Sequence, residues 1–465
     1  MTELKLLNEK PNTGIKPSSM AMLDRADNGN VKSTLKNVAL ILQSDDNLKG
    51  LLRYNQFSQE IDVVEDRELT VKGLLPMMLK KGQITDACEQ EILIYLASSD
   101  YAVQPTVGML ETAIGVTAHA LAYNPVIDYM NEAAKEWDQK TRLKGFLPKY
   151  LGADKSKVNE LSFKLWMLGA VAKAYDPYIK FDYVLDLVGA QGAGKTTLLK
   201  SLAQLDDLSV YTDQFEGFSG RDDKSAFAGC LIANDDEMTA SSNSSFEAVK
   251  KFITTQEFAY RPAYAHHVQK FHKGFVLART SNEIQHLKDR SGDRRFLSIE
   301  CSKEKQEKHP VTCLKAQEIK QLWGEVVNLY KKYEKQGKNP FDLSKEEQEI
   351  LTQGREKFEQ TTEVEDALNE LFDDKYKNRQ FIPSYELKTD MIVPLGHEPS
   401  RKEMSSIRYL MGHKGFLTGQ LKYDPASKTM KRGFLKPTKY KTMKQGFLKP
   451  AKHKTIKRGF VKPAK

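Results

Sequence analysis

Eight consecutive residues restrict this chain more than any other feature. Gly189-Ala190-Gln191-Gly192-Ala193-Gly194-Lys195-Thr196 satisfies G-x-x-x-x-G-K-[ST] in full. The flanks agree with it. A β-rich apolar run at 183–188 leads in, and Leu198, Leu199 and Leu202 are spaced for a helix leading out. Glycines let the backbone wrap tightly, so its N–H groups can point at phosphate oxygens. The helix N-terminus adds partial positive charge. Lys195 suits the β- and γ-phosphates, and Thr196 offers a hydroxyl to Mg²⁺. The expected nucleotide contacts are residues 189–197, Thr197 included, with ATP and Mg²⁺ as cofactors. Two further apolar runs, at 230–233 and 275–278, alternate with helical stretches, which indicates an α/β sheet.

Phosphoryl chemistry needs carboxylates opposite the loop. The second run ends in Asn234-Asp235-Asp236-Glu237. One carboxylate should hold the metal and the next polarise the attacking water. The reading taken is Asp236 for metal and Glu237 for base. A register one earlier, Asp235 with Asp236, stays open, and so does a plain solvated acidic turn. The third run leads to Asn282, placed to position water and sense the γ-phosphate. Arg294 and Arg295 follow the turn Gly292-Asp293 and suit an arginine finger offered to a neighbouring subunit. Their alternative is a surface ion-pair cluster with Asp289 and Asp293.

The charge is unevenly spread. Net charge is +9, from 71 Lys+Arg against 62 Asp+Glu. Residues 428–465 hold 14 basic residues and no acidic one, leaving 57 against 62 for residues 1–427, a net of −5. A uniformly basic coat for nucleic acid is excluded. No run of 18 apolar residues exists, and residues 1–5 lack a signal-peptide core. Cys88, Cys230, Cys301 and Cys313 form no C-x-x-C pair, so a reducing, cytoplasmic setting and no membrane are expected.

The chain is expected to divide into five parts. These are a polar arm and short helix at 1–65, a helical oligomerisation domain at 66–175 and the ATPase motor at 176–335. A helical linker and winged helix follow at 336–425, then a basic tail at 426–465. Leu74, Leu75, Met78 and Leu79 are read as part of a buried helical stripe. Ser344 and Glu347 are spaced for a capping box. The tail repeats every thirteen residues: Lys428-Thr-Met-Lys-Arg-Gly-Phe-Leu-Lys-Pro437 recurs at 441–450 and, with small changes, at 454–463.

Residues 258–271 place aromatic and β-branched residues around a polar centre. They read as a hairpin in a ring's channel, with His266, His267 and Lys270 meeting DNA phosphates and Tyr264 stacking. An ordinary surface hairpin is the plainer alternative. Two adjacent histidines with no further ligand at zinc spacing argue against a metal site.

Read together, these segments resemble the virulence-associated protein E family, related to superfamily 3 helicases. Within it, the chain is similar to replication initiators of phage-inducible chromosomal islands and prophages. The resemblance rests on Leu52-Arg53-Tyr54-Asn55-Gln56-Phe57, Asn124-Pro125-Val126-x-x-Tyr129, Trp137-Asp138 with Arg142-Leu143, and Tyr150-Leu151-Gly152-Ala153. It continues through the 189–196 loop, Tyr260-Arg261-Pro262-x-Tyr264, Thr280-Ser281-Asn282 and Gly292-Asp293-Arg294-Arg295-Phe296. It covers about residues 35–335. It implies an AAA+-like P-loop ATPase of superfamily 3 type, hexameric, translocating on single-stranded DNA in a bacterial host. It also implies roles for Lys195, Thr196, Glu237, Asn282 and the arginine pair. The family often has a carboxylate where Asn234 stands, which leaves the metal-side carboxylate open. No paired-aspartate polymerase motif is present, so a separate primase is an expected partner.

The C-terminal part resembles a winged helix. Met404, Ile407 and Met411 would face inward, and Arg401, Lys402 and Arg408 outward to origin duplex DNA. A structural lid is the alternative. The tail has two readings, phosphate contacts with occasional stacking, or a terminal strand duplicated by slippage. Two other functions remain open: a DNA-packaging ring ATPase, and a nucleotide-regulated origin binder that does not unwind.

Overall fold

The computed structural model describes residues 22–218, 220, 226–260, 269–287, 293–359, 363–425 and 427–437. They form two units that divide between residues 359 and 360.

The first unit begins with a tethered segment. Asn37 is fully buried, and its amide donates to the carbonyls of Asp24 and Lys32. So residues 22–32 are held against α1 (Leu35–Ser44), where a loose arm was expected; residues 1–21 lie outside the described residues. Thr34 caps α1 by accepting from the Asn37 N–H.

Short strands follow: β1 (Leu52–Asn55), β2 (Glu60–Val63), β3 (Arg67–Leu69), β4 (Met77–Leu79) and β5 (Gly82–Gln83). This corrects the expected helix across residues 66–83. Leu74 and Leu75 are 46% and 86% exposed, while Leu69 and Leu79 of the β3–β4 pair are buried. Gly73 has φ +88°, and Pro76 disfavours helical backbone at Leu75, so the apolar cluster cannot wind into a helix. Helix starts only at α2 (Asp86–Ser98) and α3 (Val107–Ala120), each capped by a threonine. With α1 they enclose a small core around Val38, Ile41, Ile92, Leu96, Leu110 and Ile114.

Next come α4 (Pro125–Glu136), α5 (Phe146–Leu151) and α6 (Lys157–Tyr175). Thirteen of the nineteen residues of α6 are buried, Ser162 and Lys173 among them, so it lies inside the unit. Its Trp166 indole donates to the Leu277 carbonyl at 2.9 Å, which fixes the helix to the sheet.

That sheet carries the candidate site. β6 (Val184–Gly189) enters the glycine-rich loop at 189–194, and α7 (Lys195–Leu202) leaves it. A small hairpin of β7 (Gln204–Leu205) and β8 (Leu208–Ser209) precedes β9 (Tyr211–Thr212) and β10 (Ile232–Asp235). The hairpin β11 (Glu257–Tyr260) and β12 (Gln269–His272) leads to β13 (Val276–Ser281) and β14 (Phe296–Cys301). Five of these strands form one parallel sheet in the order β14-β6-β13-β10-β9. Every residue of β6, β10 and β13 is buried, because helices and loops cover both faces. The helix Ala316–Lys335 packs against α4 and α6. The helix Lys345–Glu356 has the expected capping box and packs on α6, with Gly354 against Val158. It therefore belongs to this unit and not to a linker after residue 335.

The second unit contains the helix Glu363–Leu371, β15 (Phe381–Pro383), the helices Ser384–Asp390, Ile392–Leu395 and Arg401–His413, then β16 (Leu417–Asp424) and β17 (Thr429–Leu435). Its sheet is antiparallel in the order β15-β17-β16. Leu368, Ile382, Leu387, Ile407, Met411 and Phe434 form the core. Here the expected tail boundary is corrected. The first repeat copy is β17, the central strand, and Phe434 is 1% exposed. The second and third copies lie outside the described residues. Among the described residues, no helix is long and apolar enough to cross a membrane.

Candidate phosphate-binding site

The site lies at the C-terminal ends of β6, β10 and β13, where parallel sheets offer their loops to ligands. Gly189, Gly192 and Gly194 have φ of +127°, +79° and +83°. A Cβ on Gly189 would lie 2.2 Å from the Cys301 carbonyl oxygen, and one on Gly194 would lie 2.4 Å from Cγ of Pro310. Glycine is needed at both positions for backbone shape and for space. The loop is braced from outside: Gln306 donates to the Ala193 carbonyl at 2.6 Å, and the His309 ring lies 3.1 Å from the Gly192 carbonyl oxygen.

Lys195 is buried, and its ammonium donates to the carbonyls of Gly189 (2.6 Å) and Ala190 (3.1 Å) and to Asn282 Oδ1 (3.2 Å). Burial pulls its pKa below the usual lysine value. Thus β13 delivers Asn282 to the loop lysine across 87 residues of sequence.

Three donors converge on Asp236 Oδ1: the hydroxyls of Thr196 and Thr280, each at 2.7 Å, and the Asn234 amide at 3.2 Å. Thr280 also accepts from the Glu237 N–H at 3.0 Å. Glu237 has φ +54° and ψ +21°, and Met238 has φ +53°. Two successive non-glycine residues in the left-handed region store strain, of order 1–3 kcal/mol each. The kink turns the exposed Glu237 side chain into the same cleft. Lined by residues 191–197, Asp236, Glu237 and 280–282, the cleft holds about 200 Å³.

Asp235 is not gathered there. Its carboxylate accepts from the N–H groups of Ala240 (2.8 Å) and Ser241 (3.0 Å) and from the Ser241 hydroxyl. Burial raises its pKa. These bonds occupy Asp235 in shaping the turn after β10. Of the two registers open in the sequence, the geometry places Asp236 at Thr196 and turns Asp235 away, against its expected place among metal ligands.

Arg294 and Arg295 are also remote from the loop of their own chain. They end a 3-10 turn just before Phe296, and Phe296 pairs with Val184 at the far end of β6. Gly189 pairs with Cys301 at the near end, five residues on. At about 3.3 Å per residue the separation along the sheet is about 17 Å. Arg294 is exposed and Arg295 half-buried, and both line a different cleft with Lys180, Tyr183 and Arg355.

The expected hairpin is present as β11 and β12, with Lys270 exposed opposite Ala259. Glu257 lies 4.0 Å from Lys270 and 3.5 Å from His272. His266, His267 and Tyr264 fall outside the described residues. In the second unit, Arg401, Lys402 and Arg408 are exposed on one helix, while Met404, Ile407 and Met411 are buried.

Sequence reasoning did not single out Thr280, Tyr211, Gln306 or His309 as site residues. Thr280 had a signal, a hydroxyl inside a buried strand two residues before Asn282. Tyr211, whose hydroxyl accepts from the Asn234 amide at 2.9 Å, had none.

Residues 130–360 match the family model of the virulence-associated protein E-like domain. No curated protein matches the chain. Among solved structures it is similar to the A-form apo structure of the NrS-1 C-terminal region, residues 305–718. Identity is 13% with a TM-score of 0.39, over 86% of this chain and 99% of that one. The apo structure of the same region gives 13% and 0.36, over 83% and 96%. Likeness that loose carries no argument about this chain.

Proposed function

We infer, from the premise that residues 130–360 of this chain are a virulence-associated protein E-like domain, that the protein is an ATP-driven ring helicase. In this reading it initiates replication of a bacterial mobile element and translocates on single-stranded DNA. One observation carries the reading. Lys195 and Thr196 at the start of α7, Asp236 after β10 and Asn282 after β13 meet around one cleft at the ends of three parallel strands. The sheet order supports an AAA+-like ATPase, because β13 with Asn282 lies between the loop strand β6 and the acidic strand β10.

The donor set fits Mg²⁺ and a nucleoside triphosphate. The loop is a cradle that side chains at 189 or 194 would close, with an ammonium inside it and a hydroxyl–carboxylate pair at its rim. Lys195 and the loop N–H groups would hold the phosphates, and Thr196 with Asp236 the metal. When bound, ATP would supply the phosphoanhydride bond whose hydrolysis drives movement, and Mg²⁺ would neutralise charge on its phosphates. Glu237 accepts a proton from water at its carboxylate, and Asn282 orients that water. Arg294 or Arg295 completes the cleft of the next subunit. The β11–β12 hairpin is read as the channel contact to DNA. The helix Arg401–His413, followed by the β16–β17 hairpin, supports a winged-helix reading, with Arg401, Lys402 and Arg408 on duplex phosphates.

Strand displacement on 3′- and 5′-tailed substrates tests this. Lys195→Ala should abolish ATP hydrolysis and unwinding while duplex binding persists. Unchanged unwinding in that variant would sink the helicase reading. Hydrolysis without any strand displacement by the natural chain would favour the origin binder.

A further inference from the structure

The thirteen-residue repeat meets a demanding site inside the fold. β17 lies between β15 and β16, and four of its positions, Lys431, Gly433, Phe434 and Leu435, face definite constraints. A Cβ on Gly433 would lie 2.2 Å from the Ile382 carbonyl oxygen, so the position requires glycine. Phe434 is buried in the core of the unit, and Leu435 is half-buried. Lys431 donates to the Tyr385 hydroxyl at 2.7 Å and pairs with Asp424. The Lys436 ammonium lies 5.6 Å from the centre of the Phe416 ring.

The second copy satisfies every one of these demands. It offers Gly446, Phe447, Leu448, Lys444 and Lys449 at the matching positions. Its single departure over this stretch, Gln445 for Arg432, falls where the side chain is exposed. The third copy offers Gly459, Phe460, Lys457 and Lys462, with Val461 one methylene smaller at the half-buried position.

We propose that the slot between β15 and β16 is a binding site for the repeat, and that the second copy exchanges with the first as its occupant within one chain. Loop closure sets the balance. Four residues connect Asp424 to Thr429, and seventeen would connect it to Thr442. If the strand contacts are equal, the longer loop disfavours the second copy by about ninefold. The first copy therefore dominates, with the second as a minor occupant. Each exchange releases the basic first copy into a loop and draws in the chain behind it by thirteen residues. The phosphate contacts that the tail can offer then shift in steps of one repeat.

Cross-linking in the full chain tests this, in a background where the exposed Cys313 is replaced by Ser. Lys422 stands opposite Lys431 across the β16–β17 pair, and Lys444 is the second copy's equivalent. Under oxidised glutathione, Lys422→Cys with Lys444→Cys should form an intrachain disulfide. Its initial rate should be about ninefold below that of Lys422→Cys with Lys431→Cys. Adding Gly433→Val bars the first copy, so the 422–444 rate should rise severalfold. Amide protection over residues 363–425 should survive Gly433→Val in the full chain and be lost when the same chain ends at Pro437. Phe447→Asp should remove the fast 422–444 disulfide, and Phe447→Asp with Phe460→Asp should also remove the rescue. Loss of protection in the full-length Gly433→Val chain would overturn the proposal. So would a 422–444 disulfide indifferent to Phe447→Asp, which marks random collision, or one that links two chains.

Discussion

Asp186 shows how much of this site is held from beneath. It lies mid-strand in β6 with no exposure, and burial alone would raise its carboxyl. The Arg279 guanidinium, bidentate at 2.7 and 2.6 Å, and the His286 ring at 2.8 Å override burial and hold the pKa at about 2. The folded value lies below the ordinary carboxylate value of about 3.9. Stability from this contact is therefore complete above about pH 4 and is lost as pH falls through about 2. Arg279 also donates to Ser241 at 3.3 Å, and Ser241 holds Asp235. The pair thus continues to the turn that aims Asp236. Arg279→Met should cost about 3–5 kcal/mol by stranding a buried carboxylate, read from the urea midpoint at pH 7. Asp186→Leu with Arg279→Met should recover most of that loss and abolish the acid step between about pH 4 and 2. None of this network is visible in a local pattern, whereas Lys195 and Thr196 are, because their motif is contiguous. The choice between Asp235 and Asp236 is illegible for a related reason. It is decided by a left-handed kink at Glu237, a residue type with no preference for that conformation.

At the scale of elements, what covers a segment decided whether it could be read. β6, β10 and β13 are buried on both faces, and each shows a short apolar run, broken by Asp186 in β6 and ended by Asn234 in β10 and Arg279 in β13. β14 lies beside β6, yet Ser298 and Glu300 interrupt its run. Ser298 donates to Asp186 at 3.3 Å, and Glu300 pairs with Lys357, so both polar residues answer to distant partners. Residues 66–83 misled in the opposite direction, since their leucine spacing fits a helix and only Gly73 and Pro76 forbid it. The β11–β12 hairpin was legible from its aromatic and β-branched flanks. Its proposed role makes it separable from the cleft. His266→Ala, His267→Ala and Lys270→Ala together should lower unwinding about tenfold while basal ATP hydrolysis stays near that of the natural chain. Equal unwinding by the triple variant would make the hairpin structural.

At the scale of the whole molecule, the acidic body and basic tail meet inside a folded unit. The first repeat copy is a core strand, so ending the chain at residue 427 should unfold the second unit. Ending it at Pro437 should retain the fold and lower the salt dependence of DNA binding, read from affinity at two salt concentrations. The arginine pair raises a larger question of assembly. Arg294 and Arg295 precede a strand whose far end reaches the glycine-rich loop at 189–194, and about 17 Å of sheet separates them from it. A rigid parallel sheet cannot fold back to bring them together. If these arginines act on phosphate, they act on that of a neighbour, and the active site exists only between copies. Mixing makes this measurable. Lys195→Ala subunits keep the arginines, and Arg294→Ala with Arg295→Ala subunits keep the loop, so each alone should be inactive. Random mixing at equal amounts gives about one interface in four with both parts intact. ATP hydrolysis should return to about that fraction of the natural rate. Hydrolysis that stays at the level of the separate variants would place the arginines outside the reaction, as the structural ion-pair cluster their sequence also allows.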